Sequence, residues 1–439
     1  MAFKVEIKAT HIVKPSSSTS DHLETHKLSL LDQLSPSVYP PIIFFYDTKQ
    51  DSNLTPLLKA SLSRVLASFY PYAGRINGDA FVDCNDDGIP YSEAIVDCSL
   101  SDVLKECDLN LMTQFVPLTE ESVNPDHTIP LLVQVSFFKC GGIAIGACSS
   151  HKIGDAANFF TFIREWANVS LNDNLLLVPD FTISSLFPSI GSLNFNTGIK
   201  IPMNEKLVRK RFVFDASSIS SLKAQTTPST RVQAVSALIW KCAMNAVKTS
   251  VHGPDKPETK SSIAMTLVNM RGRLNPPLPE TSFGNFVGSF LAEKRFDDDG
   301  EIELGGLVAQ LRHGFKEFCD VYMKEVQDPK DGMLAILNYS KKIGEMLQRN
   351  GTEVFTFSSW CGFPLYEIDF GWGKPRWISV TNTPFRNGIM MMDTKEGNGI
   401  EVWANLEEDV MAIFEQDHHL DHIVLDHEIG VTTKRRRGK

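Results

Sequence analysis

The sequence has no run of 18 consecutive apolar residues, so no transmembrane helix is expected. Its N-terminal segment alternates charged and apolar residues and lacks the apolar core of a secretory signal peptide. Acidic residues outnumber basic ones, 53 against 43, and the net charge of −10 argues against nucleic acid as the main partner. These absences favour a cytoplasmic protein that binds neither a membrane nor a nucleic acid.

Cysteine pairs and a serine nucleophile motif are also missing. The eight cysteines are scattered without a C-x-x-C pair, which is typical of reduced, mostly buried thiols and predicts no metal site. Cys148 precedes His151 by three residues but lies in an apolar segment, where it is expected to pack as a small hydrophobic side chain. No G-x-S-x-G elbow occurs, so no covalent acyl-serine intermediate is indicated.

The composition indicates a large globular chain with more than one domain. Of its 439 residues, 42% are hydrophobic and 22% are charged. Strand and helix patterns are mixed in each half without regular βαβ alternation, which predicts two α+β domains of similar design. Residues 175–210 are rich in Pro, Ser, Gly and Asn and show no steady period. The predicted division is therefore a domain over 1–175, a crossover linker over 176–210 and a second domain over 211–439.

A basic run, Lys434–Lys439, closes the sequence. Such a run is typical of a disordered tail, and a nuclear or anionic-surface signal is the alternative interpretation.

The segment 132–166 gives the first candidate site. Leu132–Phe138 and Ile143–Cys148 have the apolar patterns of two strands joined by a turn at 140–142, and a helical pattern begins at Asp155. His151 thus lies where a buried strand ends, and Asp155 lies at a helix N-terminus, where a carboxylate is stabilising. A neutral imidazole at a strand end can act as a general base near pH 7. The alternative is a structural histidine followed by an N-cap.

A second unusual stretch, Asp369–Gly373, reads D-F-G-W-G, and its glycines predict a sharp loop. Together with the H-x-x-x-D of His151–Asp155, 214 residues upstream of Asp369, it resembles the plant BAHD acyltransferases, which carry both motifs in this order. Other matching pieces are Leu30–Gln33, Phe69–Arg75, Asp83–Gly88, Val268–Leu278 and Ser359-Trp360. The resemblance extends over nearly the whole chain, and it is strongest to a branch that acetylates alkaloids.

The resemblance implies a fold and a reaction. The fold would be two chloramphenicol-acetyltransferase-like domains with a channel between them, in a monomeric enzyme. An acyl-CoA thioester, with acetyl-CoA expected from the branch, would enter from one face and an acceptor alcohol or amine from the other. A bulky, weakly polar alkaloid-like alcohol would suit an apolar acceptor pocket.

The resemblance also implies roles for individual residues. His151 would be the general base, removing the proton from the acceptor hydroxyl within a ternary complex. Asp155 would point away from the cleft and pair with an arginine, for which Arg273 is favoured and Arg271 is the alternative. Ser358 and Trp360 would lie near the thioester carbonyl as oxyanion donors, although a tryptophan in this position is more often part of the core. Asp369, Phe370, Gly371, Trp372 and Gly373 would have a structural role.

One segment departs from the family pattern. Many relatives carry Y-F-G-N-C where this chain has Ser282–Phe286, so the flanking Tyr and Cys are absent and local contacts to CoA are not inferred. Ser149 and Ser150 precede His151 in place of an arginine that could hold a malonyl carboxylate, although Arg376 or Arg386 could serve instead. A malonyl or other donor, N-acylation and a non-catalytic binding protein therefore remain as alternatives.

Overall fold

The structure is a computed structural model of the 439-residue chain. It describes residues 3–48, 54–106, 108–118, 128–172, 177–191, 206–226, 228–250, 259–296, 302–381, 385–420 and 424–425. The basic run Lys434–Lys439 lies outside the described residues, so both interpretations of it remain predictions.

Strands and helices are mixed along the described chain. The strands, in chain order, are β1 (Val5–Val13), β2 (Thr25–Lys27), β3 (Pro41–Tyr46), β4 (Arg75–Asn77), β5 (Phe81–Asp83), β6 (Ile89–Val96), β7 (Leu131–Phe138), β8 (Ile143–Ser149), β9 (Leu207–Phe214), β10 (Ser261–Asn269), β11 (Val287–Arg295), β12 (Thr352–Ser359), β13 (Trp377–Ser379), β14 (Gly388–Asp393), β15 (Ile400–Glu407) and β16 (Val424–Leu425).

The α-helices are, in the same order, α1 (Leu30–Leu34), α2 (Leu54–Ser68), α3 (Leu100–Glu106), α4 (Ala156–Asn172), α5 (Ile183–Leu186), α6 (Ala216–Gln225), α7 (Arg231–Ser250), α8 (Leu304–Glu317), α9 (Met323–Val326), α10 (Gly332–Leu347) and α11 (Glu408–Phe414). A π-helical turn, Phe318–Tyr322, connects α8 to α9. Of the helices that the structure describes, none is both long and apolar enough to cross a bilayer.

Five strands of the first half of the chain and one short strand from the second form a six-stranded sheet in the order β1-β6-β7-β8-β3-β13. Only β6 and β7 pair in parallel, and the other neighbours are antiparallel. Every residue of β3 and β8 is buried, which explains their continuous apolar character, because a central strand covered on both faces has no polar face to show. A smaller antiparallel sheet, β2-β5-β4, accompanies it.

The second half forms a seven-stranded sheet in the order β11-β10-β12-β14-β15-β9-β16. Its pairs β10–β12 and β12–β14 are parallel, and the rest are antiparallel. Helix α7, whose residues from Ala234 to Met244 are all buried, packs into the core of this half together with α8 and α11.

The two halves exchange segments. Strand β13 comes from the second half but pairs with β3 at the edge of the first sheet, with Trp377 opposite Phe45. Conversely, Leu30 and Leu31 of α1 are buried in the core of the second half. Each core is therefore completed by residues distant in sequence.

The predicted strands and helices around the first candidate site are confirmed to within a few residues. Strand β9 starts at Leu207, inside the segment predicted as linker, and residues 192–205 of that segment lie outside the described residues. The division into domains at 175 and 210 stays a prediction.

Candidate active site

A β-hairpin delivers His151 to its position. Strands β7 and β8 pair from Leu131–Ser149 to Phe137–Ile143, and the loop after β8 carries the histidine. The backbone N–H of Ser150 donates to the carbonyl of Pro130 at 2.8 Å, and that of His151 donates to the carbonyl of Val38, also at 2.8 Å. The backbone of the loop is therefore fixed where the buried strand ends.

The His151 side chain is half-buried. Its Nδ1 atom is buried and has no hydrogen-bond partner among the described residues. The next side chain, Lys152, is directed elsewhere: its Nζ donates to the carbonyl of Gln33 at 3.0 Å and lies 2.8 Å from an oxygen of Asp79. The Lys152 side chain is therefore held away from His151, and the imidazole forms no ion pair with the described residues.

Asp155 caps helix α4, as the sequence predicted. Its Oδ1 accepts the backbone N–H of Asn158 at 3.0 Å, three residues on, which satisfies one of the free donors of the first turn. The intervening Gly154 has no room for a side chain, since an added Cβ would lie 2.1 Å from Oδ1 of Asn158. A side chain at 154 would therefore have to displace the buried Asn158 amide.

The other oxygen of Asp155 is bound by residues of the second half. Oδ2 forms an ion pair with Nη1 of Arg271 at 2.7 Å and accepts the backbone N–H of Phe286 at 2.8 Å. Arg271 uses its remaining donors on Oδ1 of Asn269 and on the carbonyls of Ser282 and Gly284. Both members of the ion pair have side chains that are 1% exposed, so a fully hydrogen-bonded buried pair joins the two halves.

The predicted choice of Arg273 as the partner of Asp155 is wrong, and the alternative, Arg271, is correct. Arg273 is exposed; its guanidinium donates to the carbonyl of Asn269 and lies 5.3 Å from the ring centroid of Phe315. The two arginines are two residues apart in a short 3-10 turn, so their side chains leave in different directions, and only Arg271 points to the inside.

Sequence reasoning gave no role to Asn285 or Asp32. Asn285 donates its Nδ2 to the carbonyl of His151 at 2.7 Å and to Oδ1 of Asp32 at 2.8 Å. Gly284, with φ of +112°, turns the chain so that the backbone N–H of Asn285 also reaches Asp32, at 2.7 Å. A signal was available: Ser29 and Asp32 have the spacing of a capping box, which the structure contains.

Ser358 and Trp360 lie at the end of β12. The Trp360 ring packs edge-on against Phe160 with a centroid distance of 4.8 Å. Phe160 follows Asp155 by five residues, or about 7 Å along α4. Neither the Ser358 hydroxyl nor the Trp360 indole N–H donates to another described residue, so both are available as donors. Trp360 is also 7% exposed and part of the core, so the two interpretations of it coexist.

The segment Asp369–Gly373 packs at the other end of α4. Oδ1 of Asp369 accepts the N–H groups of Gly371 and Gly373 at 2.8 and 2.9 Å, and both glycines have positive φ. Phe370 is fully buried against Trp166, with ring centroids 4.9 Å apart. Trp166 lies 11 residues beyond Asp155, which places this loop about 16 Å along the helix from the carboxylate.

The two arginines that could hold a malonyl carboxylate each form an ion pair within the protein. Arg376 forms an ion pair with Asp47 at 3.0 Å, and Arg386 forms one with Glu353 at 2.7 Å.

Burial raises the pKa of Cys148 to about 12, so its thiol stays protonated at neutral pH and is a poor nucleophile.

Three potential metal ligands, Cys242, Asp417 and His419, have donor atoms within 4.8 Å of one another. His419 Nδ1 lies 2.7 Å from Asp417, and Lys241 Nζ lies 3.2 Å from the other ring nitrogen. The lysine ammonium would repel a cation at this position, so hydrogen bonding explains the group better than a metal does.

Comparisons with known proteins cover almost the entire chain. Residues 3–421 match the model of the Transferase family. The chain is 37% identical to stemmadenine O-acetyltransferase of Catharanthus roseus, over 95% of this chain and 97% of the relative. It is 35% identical to vinorine synthase of Rauvolfia serpentina, over 94% and 96%. A 17,18-epoxy-17-hydroxycur-19-ene N-malonyltransferase of Strychnos nux-vomica is 33% identical, over 95% and 90%.

The fold has a close counterpart among solved structures. The crystal structure of vinorine synthase superposes with a TM-score of 0.81 at 34% identity, over 93% of this chain and 96% of that one. The predicted α+β architecture of two chloramphenicol-acetyltransferase-like domains is confirmed by this match.

Proposed function

The chain belongs to the Transferase family, the BAHD acyltransferases that its motifs predicted, and from this premise we propose that it acetylates a hydroxyl of an alkaloid-like plant metabolite. It is an acyl-CoA-dependent acyltransferase, and acetyl-CoA is the donor that the O-acetyltransferase among its relatives supports. The acceptor class follows from the same relatives and from the expectation of an apolar pocket.

His151 is the general base of the proposed reaction. A neutral ring nitrogen removes the proton of the acceptor hydroxyl while the oxygen attacks the thioester carbonyl. The tetrahedral oxyanion then collapses, the C–S bond breaks, and the CoA sulfur leaves and takes the proton from the imidazolium. General base catalysis of this kind contributes about 10²- to 10⁴-fold, and proximity within a ternary complex contributes further.

One observation carries this proposal. The loop from His151 to Asp155 is fixed by hydrogen bonds at both ends, to Asn285 and to Phe286, while the half-buried imidazole has no ionic partner among the described residues. A histidine with a structural role would be expected to spend its ring nitrogens on hydrogen bonds, but Nδ1 of His151 has none in the described chain.

Ser358 and Trp360 are the proposed oxyanion donors, because their polar hydrogens are not used by other described residues and both lie at the end of β12, where Trp360 packs against Phe160 of α4. One oxyanion donor is worth about 3 to 4 kcal/mol of transition-state stabilisation. The ion pair between Asp155 and Arg271 would hold the loop that carries His151 in place. The loop Asp369–Gly373 would have a structural role, away from the reacting atoms.

A malonyl donor with an amine acceptor is the second candidate, since one relative is an N-malonyltransferase. The two arginines considered for a malonyl carboxylate already pair with carboxylates, which favours the uncharged acetyl group. We further propose that the protein is a cytoplasmic monomer with a channel between its two domains.

The proposal is tested by release of free CoA thiol from acetyl-CoA and malonyl-CoA over a panel of indole alkaloid alcohols and amines, starting with stemmadenine, with products identified by mass spectrometry. An ester formed from acetyl-CoA is expected, and His151→Ala should abolish it with an unchanged circular dichroism spectrum. Full activity of His151→Ala would exclude the imidazole as base. No thiol release over the whole panel would favour a non-catalytic binding protein.

A further inference from the structure

A buried carboxylate that forms no ion pair with the described residues lies beneath the His151 loop. Asp32 on α1 is 1% exposed, and within the described part of the chain its hydrogen bonds come from neutral donors. Oδ2 accepts the backbone N–H and the hydroxyl of Ser29 at 2.8 and 2.7 Å, and Oδ1 accepts the backbone N–H and the amide of Asn285 at 2.7 and 2.8 Å. Burial raises the pKa of Asp32 against the effect of these donors. Such a group is costly to bury, which indicates that the arrangement has a use.

Asp32 fixes the orientation of the Asn285 amide. Because the carboxylate accepts only, the Nδ2 side of the amide must face it, and the second Nδ2 hydrogen is then directed at the carbonyl of His151, 2.7 Å away. A flipped amide would set its oxygen against both the carboxylate and the carbonyl. The Asn285 side chain therefore holds the backbone of His151 in one position.

Consecutive residues hold the two ends of the H-x-x-x-D segment. The Asn285 side chain binds the carbonyl of His151, and the backbone N–H of Phe286 binds Oδ2 of Asp155. Both come from the segment in which this chain departs from the pattern of many relatives. Helix α1 completes the support, since Gln33, next to Asp32, accepts Lys152 Nζ through its carbonyl at 3.0 Å.

We propose that Asn285 is a positioning residue for His151: held by the buried carboxylate of Asp32, it fixes the His151 peptide across the boundary between the two halves and so sets where the imidazole lies. This inference rests on the proposed function, in which His151 is the base. A displacement of about 1 Å in a catalytic group can cost about 100-fold in rate. The Asp155–Arg271 pair holds the loop only four residues further on and cannot replace this contact.

The test compares Asn285→Ala with Asn405→Ala. Asn405 is 1% exposed, against 2% for Asn285, and donates its Nδ2 to a backbone carbonyl, that of Phe385 at 2.6 Å, but within the second sheet. Turnover is measured with acetyl-CoA and the alcohol acetylated fastest in the panel above, per folded molecule and well below the melting temperature. We expect kcat of Asn285→Ala to fall 10- to 100-fold with KM for acetyl-CoA within about threefold of the parent, and kcat of Asn405→Ala to stay within twofold.

A second variant, Asn285→Ser, keeps the inference testable if the alanine variant does not fold. Its hydroxyl can still donate to Asp32 but is too short to serve His151 as well, so we expect much of the stability to return while kcat remains low. Normal kcat per folded molecule in a folded Asn285 variant would overturn the positioning role, and so would failure of both variants to fold. An inactive His151→Ala beside a normal Asn285→Ala would refute this inference alone. An active His151→Ala would refute the proposed function and this inference with it.

Discussion

Asp155 receives one ion pair and two backbone hydrogen bonds, from Arg271, Phe286 and Asn158, and none of them involves the His151 ring. A carboxylate occupied in this way cannot orient the imidazole directly. It stabilises the loop instead by joining a helix N-terminus to a strand end of the other half. At the scale of the residue, the carboxylate of the motif is therefore bound by partners other than the imidazole, and the base role of His151 stays a proposal.

Arg271 and Arg273 provide a matched pair of substitutions. Arg271→Ala leaves the Asp155 carboxylate buried without its cation, for which we expect a loss of about 3 to 5 kcal/mol in the free energy of unfolding. Acetyl transfer should be lost with it. Arg273→Ala removes an exposed guanidinium and should change the free energy of unfolding by less than about 1 kcal/mol. Urea denaturation of both variants measures the difference, and equal losses would contradict the assignment of Arg271.

His26 makes the stability of the protein depend on pH. Its ring is buried between Phe181 and Phe283, with centroids 5.4 Å from each, and burial lowers its pKa to about 4. The unfolded chain binds this proton near pH 6.5, so the neutral ring contributes fully above pH 6.5 and its contribution is lost as the pH falls towards 4. The loss should reach about 3 kcal/mol.

His26→Leu is expected to remove the loss of stability that protonation of His26 causes below pH 6.5. The free energy of unfolding in urea, measured between pH 4 and 7, checks this. The same change at the exposed His22 is the control for loss of a surface histidine. An unaltered pH dependence in His26→Leu would show that the buried ring is not the group responsible.

At the scale of the element, helix α4 separates the two motifs. Its N-terminal cap is Asp155, and its last turns hold the loop Asp369–Gly373 through Trp166 and through Ser170, whose hydroxyl donates to the carbonyl of Phe370 at 3.0 Å. The rise of the helix, 1.5 Å per residue, keeps the two motifs about 16 Å apart or more. The contacts of the second motif with α4 are made to its last turns, away from Asp155.

Asp369→Ala tests this separation. The substitution removes the acceptor for the N–H groups of Gly371 and Gly373, and we expect the melting temperature to fall by about 2 °C, since each lost hydrogen bond costs about 1 kcal/mol. Turnover per folded molecule should stay within about threefold of the parent at a temperature where the variant is fully folded. A collapse of kcat in folded protein would assign the loop a part in the reaction.

Elements that depend on local signals could be predicted from the sequence. The hairpin before His151 and the cap at Asp155 are set by residues within a few positions of one another, and the predicted boundaries hold. The partner of Asp155 could not be chosen, because Arg271 and Arg273 have the same chemistry and the contact spans 116 residues. Asn285 was missed for a similar reason: its function depends on a carboxylate 253 residues away.

At the scale of the whole molecule, the two halves are joined by exchanged segments as well as by contact. Strand β13 has only three residues, and they give no indication in the sequence that they pair with β3 of the other half. Phe370 and Trp377, both buried, and Trp360 likewise belong to the first core. A domain boundary drawn at one position of the sequence therefore does not separate the two hydrophobic cores.

This exchange leads to a prediction about the isolated first half, residues 1–191. Without the second half it would lose β13 and three large aromatic side chains, Trp360, Phe370 and Trp377, from its core. Burial of a large apolar side chain contributes about 1.5 to 3 kcal/mol, so their absence removes about 5 to 9 kcal/mol, as much as the net stability of many domains.

We therefore expect the fragment to bind the dye ANS, to unfold without a cooperative transition and to expose the carbonyl and N–H groups of β3 as an aggregating edge. Co-expression with residues 192–439 should restore a cooperative transition and acetyl transfer, because the second fragment supplies β13 and Arg271 together. A sharp thermal transition of the first half alone would show that its core is complete without these residues, and that the exchange follows folding and is not required for it.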